Sequence, residues 1–452
     1  MKASKIVLAA ALFSLGAAGN ALAFHDGGVA YCDGCHTMHN SSGNKAVAKK
    51  GGSTQFQGMA YLLQGSDDSS TCLNCHGAAD APGKPSSYHI MTYPAPALGT
   101  PPTERTPGGD FAWLTQSYPV PTGSHSASSP GERHGHNIVA ADFGLVADTT
   151  LLTAPGGSYA AANLSCASCH DPHSRARVID TNGTIAYSKL GQATLPINGS
   201  GSYGATATAT DAVGVYRLLG GANYSQMSYS NPLAFNADPP VAVAPSTYNR
   251  SEGLSDTRVS YGKGMSEWCA NCHRTIHDGN TNAANTALIH PAGNTALLTA
   301  SANDLNGGTT ATIAGIYNAY KKSGDLTGTQ ATSYTSLVPF EEGTGVIATL
   351  ASHAGAGTGS TAGPITGSEN VMCLSCHRAH ATGFNSMTRW NNTSEFITVA
   401  GAWPGTDQAA GPAVSYSNGM NQATYQAAMY DRPATQYAYD QRSLCNKCHA
   451  KD

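Results

Sequence analysis

Cys373-Leu374-Ser375-Cys376-His377 sets the pattern for the whole chain. The same Cys-x-x-Cys-His spacing recurs as Cys32-Asp33-Gly34-Cys35-His36, Cys72-Leu73-Asn74-Cys75-His76, Cys166-Ala167-Ser168-Cys169-His170, Cys269-Ala270-Asn271-Cys272-His273 and Cys445-Asn446-Lys447-Cys448-His449. All 12 cysteines are used. The chain's own Cys and His frequencies would supply roughly 0.01 such matches by chance. In one helical turn, positions i, i+3 and i+4 share a face. Two thiols can then bond the two vinyl carbons of one porphyrin while the next imidazole reaches its iron. Zinc would draw four ligands from two Cys pairs and would not need a His after each. Six disulfides would suit an exported chain but leave that His unexplained. The motifs therefore predict six covalently bound haem c groups, with His36, His76, His170, His273, His377 and His449 as proximal iron ligands.

The first residues fit export. Met1-Lys2-Ala3-Ser4-Lys5 is a basic start, Ile6 to Ala18 is apolar, and Ala21-Leu22-Ala23 is a small-x-small cleavage site. Residues 1–23 read as a secretory signal peptide, with a haem-bearing domain over 24–452. Thirteen apolar residues are too few to span a bilayer as a helix. No other long apolar run follows, so no membrane span is expected. Without Lys2 and Lys5 the 24 basic residues become 22, against 28 acidic, a net charge of −6. That balance gives no basic patch for nucleic acid.

Gly and Pro number 51 and 23 of 452 residues, and long periodic apolar segments are scarce. Such a chain struggles to bury enough side-chain surface to offset its ordering entropy. Six rigid porphyrins would supply the missing interior. The expected fold is a haem-cored single domain, mostly irregular, with few short helices and little strand. The clearest helical patterns are 311–322, with Ile313, Ile316, Tyr317 and Tyr320 on one face and Gly324 as a stop, and 421–430. Stretches 198–210 and 354–367 read as surface loops. The first, third and fifth motifs each carry a second His three residues on: His36/His39, His170/His173 and His377/His380. This weak repeat suggests three dihaem units in tandem.

The second axial ligand decides function. An iron with one protein ligand keeps a site for a small molecule, whereas an iron with two exchanges electrons. Of 17 His, 11 remain after the proximal six. His39, His173 and His380 follow haem motifs, and His89, His136, His290 and His353 sit beside apolar or turn residues in the long gaps. These seven are the candidates, with His277 in reserve. His25 is close to the expected terminus, and His125 and His134 lie in a polar stretch and are expected to be solvated. The 10 Met residues could also serve. The preferred reading is a bis-His electron carrier, not an enzyme. The alternatives are a soluble periplasmic shuttle and a reductase with one open haem. No motif has Lys in place of its proximal His, which speaks against the reductase.

Longer stretches outside the motifs add a family resemblance. They include Phe24-His25, Cys-His-Thr-Met-His at 35–39, Thr-Pro-Gly-Gly-Asp-Phe at 106–111, Gly-His-Asn-Ile-Val-Ala at 135–140, Val-Ala-Pro-Ser-Thr-Tyr-Asn-Arg at 243–250, Gly-Met-Ser-Glu-Trp-Cys-Ala-Asn-Cys-His at 264–273, Lys-Lys-Ser-Gly-Asp-Leu-Thr-Gly-Thr-Gln at 321–330, Cys-Leu-Ser-Cys-His-Arg-Ala-His at 373–380 and the terminal Leu-Cys-Asn-Lys-Cys-His-Ala-Lys-Asp. On these the chain resembles the OmcS-type hexahaem outer-surface cytochromes of Geobacter-type metal-reducing bacteria. That resemblance implies a secreted protein that polymerises into extracellular filaments, with a continuous stacked haem chain and two His on every iron. It implies that His39 is donated to the fifth haem, at Cys373, Cys376 and His377, of the adjacent subunit. It also implies traffic with periplasmic and outer-membrane cytochromes and with external acceptors such as iron(III) oxides or electrodes. His125, His134 and loop lengths around 183–240 depart from the family pattern.

Overall fold

The computed structural model describes residues 32–37, 39–40, 49–50, 53–54, 60–78, 89–120, 128–172, 177–179, 185–187, 195–198, 212–213, 219–226, 233–243, 259–278, 291–299, 301–303, 310–333, 338–354, 363–365 and 367–449. The expected signal peptide, His25, His125, His173 and His290 lie outside these residues.

Ten α-helices occur among the described residues, and all are short: α1 Cys32–Cys35, α2 Asp68–His76, α3 Met265–Cys269, α4 Arg274–Asp278, α5 Ile313–Ala319, α6 Ile347–His353, α7 Cys373–Cys376, α8 Pro412–Ser415, α9 Gln422–Ala428 and α10 Asn446–His449. Strand is sparse. The largest sheet orders Ile185–Tyr187, Arg177–Ile179, Leu195–Asn198 and Ala212–Val213, antiparallel except at its last pairing. The expectation of a mostly irregular chain with few helices and little strand is met.

Both predicted helices form, trimmed at their ends by local competition. In α5, Thr312 is the N-cap and its hydroxyl accepts the Gly315 N–H, while Ala314, Ile316 and Tyr317 are buried. Residues 311–312 are lost to the strand Thr310–Thr312, which pairs with Ser301–Asn303. At the other end Lys321 N–H donates to Asp325 O, which turns the chain before Gly324 is reached as a stop. In α9, the Asn421 side chain caps Thr424 N–H. Tyr430 and Asp431 then adopt left-handed φ of 59° and 58°, which ends the helix.

Side chains bury more than the composition suggests. A cluster joins Phe111, Trp113, Met91, Phe384, Trp390, Trp403, Tyr425 and Tyr437. Trp403 lies 5.2 Å from Tyr437 and 5.7 Å from Tyr425, and Phe384 lies 5.4 Å from Tyr425, ring centroid to centroid. Tyr425 comes from α9 and Phe384, Trp403 and Tyr437 from separate segments outside the α-helices, so no single periodicity announces the cluster. Each such pair stabilises by about 0.5–1.5 kcal/mol beyond its buried area.

Candidate haem centres

Each motif folds as a single helical turn. The His N–H donates to the carbonyl of the first Cys in His36, His170, His273 and His377, at 2.8–3.0 Å. That bond aligns both thiols and the imidazole on one face. None of the 12 cysteines is in a disulfide. Among the described residues no group of His, Cys, Asp and Glu could hold a bare metal ion.

The odd motifs share one clasp. In the first, His36 Nδ1 bonds the carbonyl of Tyr61 at 2.8 Å, Thr37 N–H donates to Leu62 O, and Gln64 N–H donates to Cys35 O. In the fifth, His377 Nδ1 bonds Ser386 O at 2.7 Å, Arg378 N–H donates to Met387 O, and Arg389 N–H donates to Cys376 O. Both clasps use a non-glycine left-handed pair: Tyr61 and Leu62 at φ 54° and 57°, Ser386 and Met387 at 59° and 58°. Left-handed non-glycine residues cost of order 1–3 kcal/mol each and persist where the surroundings demand them. The third motif repeats the last bond, Gly220 N–H to Cys169 O, and the bridge of its His to Leu219.

The even motifs hand over to the odd ones. Ser69 Oγ, three residues before Cys72, accepts the N–H of Cys166 at 3.1 Å. Ser266 Oγ, three residues before Cys269, accepts the N–H of Cys373 at the same 3.1 Å. The Cys72 thiol is raised well above its ordinary value first by its hydrogen bond to Cys166, then by burial and by charges that include Cys35. Cys269 is raised in the same way by Cys373, then by burial and by charges that include Cys169. Burial followed by Cys75 raises Cys35, burial followed by Cys272 raises Cys169, and burial followed by Cys445 raises Cys376. The motifs thus lie in space in their chain order, first to sixth. The tandem repeat read from the odd-motif histidines has a structural counterpart, with hydrogen bonds joining second to third and fourth to fifth.

The candidate distal ligands divide clearly. His136 and His273 have ring centroids 6.0 Å apart and planes inclined by 34°. Two imidazoles bonded through Nε2 to one iron at about 2 Å stand roughly 6 Å apart, centroid to centroid. The Nδ1 of His136 bonds Ala379 O at 2.7 Å and that of His273 bonds Pro155 O at 2.9 Å, leaving both Nε2 atoms for metal. Burial, then the His273 charge, lowers His136 to about 4, so its imidazole is neutral as ligation requires. His380 stacks on Phe111 at 4.7 Å. Burial, then the charges of His170, His136 and His76, lowers it to about 3. A Cβ on Gly108 would meet His380 Nδ1 at 2.7 Å, so glycine is required there. His353 Nδ1 is 2.8 Å from the Glu342 carboxylate, the orienting contact of many ligating histidines. His39 is exposed on a bend after the first motif, His89 is half-buried, and the proximal His76 and His449 end α2 and α10. The reserve candidate His277 sits on α4, 3.6 Å from Glu267.

His134 corrects the sequence reading. It is 0% exposed, not solvated. Its Nδ1 bonds Trp113 O at 3.1 Å and its Nε2 lies 2.8 Å from Ser129 Oγ. With both nitrogens engaged it is a core residue, and the polar letters around it misled because they turn toward one another. No pattern in the letters marks Lys447 either. It is 1% exposed inside the sixth motif, with Nζ 4.2 Å over the Tyr317 ring.

The residues present therefore fit haem c: paired thiols on one face, an adjoining imidazole, and an opposed second imidazole where the spacing can be measured. Among the described residues no helix is long and apolar enough to cross a membrane. No family model matches the chain. It is 51% identical to the C-type cytochrome OmcS of Geobacter sulfurreducens, over 100% of this chain and 99% of that protein. Two solved structures are similar to it, a cryo-EM structure of the OmcS nanowires and one of the Outer Membrane Cytochrome S filament, both from that organism. Each gives a TM-score of 0.77 at 50% identity, over 95% of this chain and 100% of the other. The chain belongs to the OmcS family of c-type cytochromes, electron-transfer proteins that carry covalently bound haem.

Proposed function

We propose that this chain is the subunit of an extracellular filament that carries electrons along six haem c groups to acceptors such as iron(III) oxides or electrodes. It is exported after loss of residues 1–23 and receives electrons from periplasmic and outer-membrane cytochromes. Haem c supplies a one-electron couple when bound. The protein's part is to attach, close and align. The thiols of Cys32, Cys35, Cys72, Cys75, Cys166, Cys169, Cys269, Cys272, Cys373, Cys376, Cys445 and Cys448 are the anchors. His36, His76, His170, His273, His377 and His449 hold one side of each iron, and His39, His89, His136, His173, His290, His353 and His380 are the candidates for the other.

The observation that carries this reading is the 6.0 Å opposition of His136 and His273, with both Nδ1 atoms bonded away from the gap. It favours a closed iron at the fourth motif over a vacant substrate site. The repeat supports the joint between subunits. His380 belongs to the fifth motif, and His170, the ligand of the third motif, is first among the histidines that act on it. One repeat earlier, His173 would serve the first motif. One repeat earlier again, His39 would serve the fifth motif of the preceding subunit. A head-to-tail contact that does not close on itself builds an open filament.

The optical and electron paramagnetic resonance spectra of the oxidised protein test it. Six low-spin irons are expected. A high-spin signal equal to one iron in six would support the open-haem reductase instead, and sedimentation as a monomer would support the soluble shuttle.

A further inference from the structure

Glu341 is 0% exposed. Its Oε2 accepts the N–H groups of Gly264 and Met265 at 3.2 and 3.1 Å, at the start of α3. Its Oε1 is buried without a hydrogen bond. Glu267, two residues after Met265 in the same short helix, accepts the Asn294 N–H at its Oε1 at 2.9 Å, and its Oε2 is buried without a hydrogen bond. Two carboxylates thus share one corner, Glu341 fully buried and Glu267 with 30% of its side chain open to solvent. Burial, then the Glu267 charge, raises Glu341 to about 8, against the pull of the Met265 and Gly264 amides and Asn370. Other titratable groups stand on the elements packed around it. Glu342 beside it is bound to His353, and Glu369 adjoins Asn370, whose backbone pairs with Glu341. His277 stands 3.6 Å from Glu267. Tyr261 and Lys263 lie on the segment that Glu341 bridges.

This corner meets the haem file at its middle. Met265 is one helical turn before Cys269, about 6 Å along the axis. Ser266, next to it, holds the Cys373 N–H. The second motif provides a contrast. There the acids at the start of α2 are fully engaged: Asp142 accepts both the N–H and the hydroxyl of Ser66, and Asp67 accepts Ser70 N–H, Ser70 Oγ–H and Ala141 N–H. At the fourth motif, Glu341 and Glu267 each keep one carboxylate oxygen without a hydrogen bond.

We infer that Glu341 is a proton-uptake site coupled to electron traffic at the fourth and fifth motifs. Where Glu341 is ionised, on the alkaline side, one proton from solvent bonds to its carboxylate when one electron arrives there, the carboxylate becomes a carboxylic acid, and the local net charge is unchanged. When the electron moves on, the proton returns to solvent. In a low-dielectric corner a second negative charge is costly, and an arriving proton removes that cost. This rests on the haem reading proposed above.

Redox titration of the full-length haem-loaded protein, followed by haem absorbance from about pH 6 to pH 10, tests it. One of the six components is expected to lose affinity for its electron tenfold per pH unit over part of that range, about 59 mV for a one-electron couple. Glu341→Gln should flatten that component and leave the rest alone. Glu267→Gln keeps Glu341 but removes its charged neighbour, and should move the sloping region to lower pH. Infrared difference spectra give a second readout, because reduction should create a carboxylic acid band that Glu341→Gln lacks. Superimposable pH profiles for Glu341→Gln and the unmodified protein would overturn the inference. High-spin iron in the oxidised spectrum would instead defeat the bis-His reading, whatever the pH profile.

Discussion

His136 reaches His273 from a loop more than a hundred residues away, and the two rings face each other across 6.0 Å. The carbonyl that fixes His136 belongs to Ala379, beside the fifth motif, so the imidazole opposite the fourth motif is held by its neighbour. Replacing His136 with Ala is expected to open one iron. The oxidised spectrum should then gain a high-spin signal equal to one haem in six, and added imidazole should abolish it. An unchanged spectrum would show that another residue closes that iron.

The exposed His39 should matter only between subunits. His39→Ala is expected to leave secretion and haem attachment intact while abolishing filaments in electron micrographs of the secreted protein. Filaments of normal length would remove His39 from the joint.

The serine hand-over predicts a stability effect. Ser266→Ala leaves the Cys373 N–H without its acceptor, at a cost of about 1–3 kcal/mol. Thermal unfolding should register it, and Ser69→Ala should match it because Ser69 makes the same bond to Cys166. A clear difference between the two variants would break the equivalence of these joints.

Gly108→Ala should push a methyl group against His380, where the available gap is 2.7 Å. Overpacking of this kind typically costs about 1–3 kcal/mol. The sharper readout is spectroscopic, since a displaced His380 should perturb one low-spin component.

Acid should unfold the protein in part through His134. Burial, partly offset by the bond to Trp113 O, lowers its native value from 6.5 to about 4. Unfolded chains bind this proton as pH falls through 6.5, whereas native chains wait until about 4. The neutral ring's contribution is therefore complete above pH 6.5 and is lost as pH falls toward 4, amounting to about 3 kcal/mol in full. His134→Gln should remove that slope from denaturant midpoints measured between those two values. Midpoints that depend on pH as before would assign the acid sensitivity to other groups.

Much of this was legible in the letters. The motifs mark the candidate anchors, because two thiols that must reach one porphyrin leave little freedom in their spacing. The scarcity of periodic apolar runs correctly gave a mostly irregular chain. The +3 histidines pointed to a repeat whose clasps recur at Tyr61–Gln64 and Ser386–Arg389. Other features depend on contacts between distant segments and leave no local trace. The polar stretch around His134 looks solvated until Trp113, Ser129 and Asn418 close over it. The aromatic cluster of Trp403, Tyr425 and Tyr437 has no spacing to read, and the buried Lys447 occupies a position where any residue would satisfy the motif.

The order of the motifs, first to sixth in single file, carries a cost for the cell. A branched network tolerates the loss of a node because traffic reroutes. A strict queue offers no detour, so one damaged link in one subunit silences everything downstream of it. In the proposed filament each link would be held at two points, because every motif offers two cysteines.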